Sequence, residues 1–103
     1  ELAPRAGEPV IDKTPYDAFL DTDLEARLRA AGVSLVLIAG VLTDLCCETT
    51  AREAFQLGYE VYFVGDATAT KDYTLHFAAL ATLAHGFAHI VTVKDMLKLL
   101  GGA

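Results

Sequence analysis

The sequence predicts an α/β fold, a parallel sheet with helices on both faces in three αβα layers, and incomplete as it stands. Three observations lead there. Short apolar runs near 35–39, 60–64 and 89–93 alternate with helical patterns, which is how βαβ crossovers read in a sequence. The run Leu35, Val36, Leu37, Ile38, Ala39 contains no polar residue, so it is expected to be a strand buried on both faces. Apolar residues make up 53% of the 103 residues and charged ones only 21%, more core-type side chains than one small domain needs, so some further surface is expected to cover part of them.

Residues 1–9, with Pro4, Gly7 and Pro9 and no initiating Met, read as a loop opening at an interior cut. A short strand is expected over 10–13. Thr14 and Pro15 end it, because the residue before a proline avoids helical backbone and proline has no N–H for a ladder. Lys13 therefore stands at a strand end, followed by a loop with two aromatics, Tyr16 and Phe19. Thr22, Asp23, Leu24 and Glu25 match a capping box, and Leu24, Leu28 and Ala31 recur at helical spacing, so a helix is expected to about Gly32.

After the strand at 35–39, Gly40 breaks the run and Asp44 is the expected N-cap of a helix that closes at Gly58. Cys46 then falls in the first turn, where backbone N–H groups and the positive dipole end favour a thiolate. At about 100° per residue, Cys47, Ala51, Ala54, Phe55 and Gly58 share one stripe that reads as core, while Cys46, Thr50, Glu53 and Leu57 share another. Cys46 is thus the candidate reactive thiol above the carboxyl end of the strand, and Cys47 a small buried hydrophobe; packing roles for both are the competing reading. A second strand is expected over 60–64, ended by Gly65 and Asp66. A helix over 72–85 should turn Leu75, Ala78, Ala79, Thr82 and Leu83 inward, with Gly86 as C′. A third strand spans 89–93, and Thr92 to Asp95 opens a last helix with Met96, Leu97, Leu99 and Leu100 before the Gly101-Gly102 tail.

A net charge of −6 without any Lys/Arg cluster argues against nucleic acid or an anionic membrane as partner. The apolar stretches are too short to span a bilayer, no signal segment opens the chain, and a cytoplasmic location is expected. Two adjacent cysteines make neither a disulfide framework nor a zinc spacing, and His76, His85 and His89 read as surface or helix residues, so no cofactor or metal is expected in this chain. Gly40 alone is no phosphate loop.

Three pieces, in this order and spacing, resemble the isochorismatase-like cysteine hydrolases, and within them a nicotinamidase-like branch. They are Val10-Ile11-Asp12-Lys13 with Tyr16-Asp17-Ala18-Phe19 and Thr22; Gly40-Val41-Leu42-Thr43-Asp44-Leu45-Cys46-Cys47 with Thr49-Thr50-Ala51-Arg52-Glu53-Ala54; and Val64-Gly65-Asp66-Ala67-Thr68-Ala69-Thr70. The resemblance implies a Rossmann-like fold of which residues 1–103 are the carboxyl-terminal part. It implies a cysteine, lysine and aspartate triad in which Cys46 matches the nucleophile and Lys13 the group that stabilises the thiolate and transition state. The aspartate has no counterpart here. In the family it lies in an N-terminal half that also supplies much of the pocket and any divalent metal site, so the missing half is itself an expected partner, beside the edge of the strand at 35–39.

The chemistry so implied is hydrolysis of a carbon–nitrogen bond in a small amide, of nicotinamidase or carbamoyl-amidase type, through a thioester. Backbone N–H groups of Leu42 and Cys46 would form the oxyanion hole, with a cis peptide joining Val41 and Leu42, and Tyr16 and Phe19 would line the substrate pocket. A homo-oligomer is expected. The chain alone, lacking its base, is expected to be inactive. Rival readings are a vinyl-ether hydrolase of the isochorismatase type, which can dispense with the cysteine, and a catalytically incomplete fragment serving as an assembly module. Read without the resemblance, Lys13 is a solvated strand-end lysine, Tyr16 and Phe19 are packing residues, and Asp66 is a structural turn.

Overall fold

In a computed structural model that describes residues 3–101, three strands form one parallel sheet in the order β1 (Leu35–Val41), β2 (Glu60–Ala69), β3 (His89–Val91). The first two residues of the expected opening loop and Gly102 of the tail lie outside this range. Helices α1 (Leu24–Ala30), α2 (Glu48–Gln56), α3 (Tyr73–Gly86) and α4 (Val93–Leu99) alternate with the strands, as the α/β pattern requires. None of these helices is long and apolar enough to cross a membrane.

The core lies on one face of β2. Register pairs Val36 with Val61, Ile38 with Phe63, and Phe63 with Ile90, so these side chains form a continuous apolar row across the sheet. Cys47, Ala51 and Ala54 from the α2 side and Leu83 from α3 close over that row, with Ala51, Ala54, Phe63 and Leu83 all fully buried. Alanines at 51 and 54 let α2 sit close to the sheet. Tyr59 completes the cluster, its ring stacked on Phe19 at 6.1 Å and covered by the Arg29 guanidinium at 4.5 Å. Val64 and Met96 are buried outside this cluster, where α4 meets β2.

Several expectations are corrected. Residues 10–13 form no strand, because their backbone finds no ladder partner among the described residues; Val10 is 64% exposed. β1 is not buried on both faces. It lies at a sheet edge with only β2 beside it, so Val36 and Ile38 meet the core while Leu35 and Leu37 stay 40% and 42% exposed and Val41 opens further. β2 does not end at Gly65: pairing resumes from Ile38–Phe63 to Gly40–Thr68, so residues 64–67 bulge opposite Ala39. Thr68 Oγ1 donates to the Gly65 carbonyl across this bulge at 3.2 Å. A Cβ at Gly65 would meet the Leu80 and Ile90 side chains at 3.4 Å, so α3 and β3 pack closely over the bulge there.

The expected capping box of α1 does not form. Asp23 is the N-cap without a side-chain cap bond, since its carboxylate pairs with Arg27 at 2.9 Å, and the Thr22 hydroxyl serves Leu24 N–H and the Ala18 carbonyl instead. In α3, Asp72 caps Leu75 N–H at 3.0 Å, but the inward face is His76, Ala79, Leu80 and Leu83; Leu75, Ala78 and Thr82 point to solvent. Gly86 is the last helical residue rather than C′. β3 stops at Val91 because Thr92 leaves the ladder to cap α4, with Asp95 closing a true capping box. Hydrogen bonding from Thr92 holds the Asp95 carboxyl below its usual range. Asp66, the expected turn residue, accepts Val93 N–H at 2.9 Å and ties the bulge to this helix start.

Candidate active site

The cysteine turn begins where β1 ends. The Val41–Leu42 peptide is cis, Leu42 is extended, and residues Thr43–Cys47 wind as one π-helical turn that runs straight into α2. The Leu42 carbonyl accepts Leu45 N–H at 3.2 Å and Cys47 N–H at 3.1 Å. Leu42 is therefore the N-cap, and Asp44, expected there, sits inside the turn with Oδ1 buried and without a hydrogen-bond partner. The wider turn also moves the helix start two residues towards the strand, which brings Thr43 into the interior.

Thr43 is fully buried, and its hydroxyl lies 2.8 Å from His76 Nδ1 on α3. His76 is thus no plain surface residue. Its place in the sequence carried a signal: 76, 79, 80 and 83 fall on one helix face, and a lone polar residue on an apolar face needs a polar partner.

The two cysteines separate as the stripes suggest, although Phe55 of the expected core stripe is exposed and Thr50 of the other is buried. Cys47 is 5% exposed and packed in the core, whereas Cys46 is partly open to solvent. Burial, and then the neighbouring Cys46, push the Cys47 thiol up to about 11, while the Lys13 charge works in the opposite direction. Lys13 is joined to α2 through the Tyr16 carbonyl, which also accepts from Thr50 Oγ1 at 3.4 Å. Its Nζ donates to the carbonyls of Pro15 at 2.8 Å and Tyr16 at 3.2 Å, which leaves further donor capacity on the ammonium. Tyr16 is 53% exposed, whereas the Phe19 ring is engaged with Tyr59 in the core. Among the described residues no group of three or more His, Cys, Asp or Glu is arranged to hold a metal ion.

A cysteine at the head of a helix, beside the carboxyl end of a parallel strand and with a lysine tied to the same helix, is an arrangement suited to nucleophilic chemistry. The isochorismatase domain model matches residues 1–95. The chain belongs to the isochorismatase family. It is 46% identical over 95 residues to nicotinamidase 3 of Arabidopsis thaliana, covering 92% of this chain and 48% of that protein. It is 31% identical to the ureidoacrylate amidohydrolase RutB of Variovorax paradoxus, over 95% of this chain and 39% of that one. Among solved structures, an isochorismatase-like hydrolase from Alkaliphilus metalliredigens superposes with a TM-score of 0.93 at 30% identity, covering 96% of this chain and 54% of its own. The chain spans about half the length of the curated relatives it matches.

Proposed function

We propose that the isochorismatase-family protein carrying this chain hydrolyses a carbon–nitrogen bond of a small amide through Cys46. The observation that carries this reading is a partly exposed Cys46 at the strand-to-helix turn, with Lys13 tied through the Tyr16 carbonyl to Thr50 one helical turn further along. Its similarity to a nicotinamidase and to a ureidoacrylate amidohydrolase supports amide chemistry, and retention of Cys46 favours it over vinyl-ether hydrolysis.

In this reading an aspartate takes the Cys46 proton, and the thiolate forms a bond to the amide carbon. Lys13 and the helix start balance the negative charge, and the N–H groups of Leu42 and Cys46 hold the oxyanion. The tetrahedral adduct collapses as the carbon–nitrogen bond breaks and the leaving nitrogen takes up the proton, giving ammonia or an amine and a thioester. Water, losing a proton to the aspartate, then attacks. The carbon–sulfur bond breaks, and a carboxylic acid leaves with Cys46 restored.

We assign the aspartate, and the rest of the pocket, to a further segment of the same protein that pairs along β1. The free edge of β1, its exposed Leu35 and Leu37, and the half-length match to relatives support this assignment. Exposed Tyr73 and Phe77, stacked edge to face at 4.5 Å on α3, support a homo-oligomer.

The test is ammonia release from nicotinamide and a panel of carbamoyl amides by the full-length protein, with Cys46→Ala beside it. Turnover by the parent and none by the variant is the expected result. Amide turnover that survives Cys46→Ala would overturn the nucleophile, and turnover of nicotinamide by residues 1–103 alone would overturn the assignment of the base to another segment.

A further inference from the structure

Lys13 has no strand to hold it. Residues 10–13 run as open chain, and the segment from 3 to 21 makes no backbone-to-backbone hydrogen bond to the sheet or to α2, α3 or α4 among the described residues. Its polar attachment comes from one side chain. Ala18 N–H donates to Thr50 Oγ1 at 3.0 Å, and the same hydroxyl donates to the Tyr16 carbonyl at 3.4 Å. That carbonyl also accepts from Lys13 Nζ, at 3.2 Å. Thr50 itself is 9% exposed on α2, four positions beyond Cys46.

We propose that Thr50 is a positioning residue for Lys13. Its hydroxyl latches the lysine-bearing segment to the helix that carries the cysteine turn, and so sets the distance between the ammonium and the Cys46 thiol. A hydroxyl is the group the latch requires, because one atom must accept from Ala18 and donate to Tyr16 at once. Valine has the same shape and does neither. The proposal rests on the roles given to Cys46 and Lys13 above.

The experiment is peptide-resolved iodoacetamide labelling of Cys46 in the full-length protein at fixed neutral pH, for the parent, Thr50→Val, Thr50→Ser, Lys13→Met and the Thr50→Val/Lys13→Met pair. Because alkylation follows the thiolate fraction, Thr50→Val and Lys13→Met should each slow it about five- to tenfold. The pair should be no slower than Lys13→Met alone, and Thr50→Ser should return to within about twofold of the parent. A folded Thr50→Val that labels at the parent rate beside a slow Lys13→Met overturns the Thr50 role and leaves the lysine's intact. A serine variant as slow as valine, or a multiplicative double variant, also overturns it. Lys13→Met labelling at the parent rate removes the lysine from the proposed function, and the Thr50 role falls with it. Amide exchange in the unmodified protein tests the latch without any variant: Ala18 N–H should be protected, and exchange at the open-chain rate would overturn the proposal.

Discussion

The cysteine turn and the lysine segment are both attached to α2, yet they are held in opposite ways. The turn grows out of a hydrogen-bonded strand, its Thr43 is fully buried against His76, and its Cys47 is part of the main core. The lysine segment has no ladder, exposes Val10 and Tyr16, and is tied down by the Thr50 hydroxyl and the Phe19 ring. The contrast separates two kinds of fragility. Damage near the turn should cost stability, because the turn and the core share atoms. Damage to the segment should change reactivity with little loss of fold, because few contacts hold it.

The largest expected effect lies in the turn and is purely chemical. Cys46→Ala in the full-length protein should lower amide turnover by about four orders of magnitude or more, as loss of a nucleophile does elsewhere, while its melting midpoint stays near the parent's. Phe63→Ala attacks the core under the turn and should cost about 3–5 kcal/mol in denaturant titration. Phe19→Ala, on the lysine segment, should cost less, about 1–2 kcal/mol, since that ring is only partly buried against the core; an equal loss at both positions would erase the contrast. Thr43→Val leaves a half-buried imidazole nitrogen unpaired and should cost about 1–3 kcal/mol, measured against His76→Ala to see whether the two losses are shared.

The effect that is absent at neutral pH is the pH dependence from Cys47. Its thiol is raised in the folded chain from 9.0 to about 11, chiefly by burial. The unfolded chain therefore loses this proton first, and the stability that the neutral thiol contributes is fully present below pH 9 and declines as pH rises towards 11. Cys47→Ala should flatten that decline in denaturation measured across this window. A decline of the same slope in the variant would assign it to other groups.

Much of the fold was legible in the alternation of apolar runs and helical stripes, and the separation of Cys46 from Cys47 was legible from helix geometry alone. Less legible were the features that depend on neighbours distant in sequence. An all-apolar β1 says nothing about which of its faces has a partner, and here only Val36 and Ile38 do. A run ending in Gly65-Asp66 reads as a strand end, yet β2 crosses it in a bulge and pairs again at Thr68, because β1 is still alongside. The motif around Cys46 pointed to the turn, while the two residues that hold the site's parts in place, His76 and Thr50, lay in stretches read as surface and as an ordinary helix stripe.

What the sequence determined by itself was the order of strands and helices from residue 24 onward, the turn that bears Cys46, and the family. Each of these is set by residues close together in the chain, where periodicity, turn chemistry and motif spacing act directly. Only the tertiary structure decided that β1 is an edge, that the helix starts at Leu42 rather than Asp44, and that Lys13 is joined to the cysteine-bearing helix from an open segment held by Thr50. The last of these depends on hydrogen bonds between residues more than thirty positions apart, as the Ala18–Thr50 separation of 32 illustrates, and spacing along the chain does not encode such contacts.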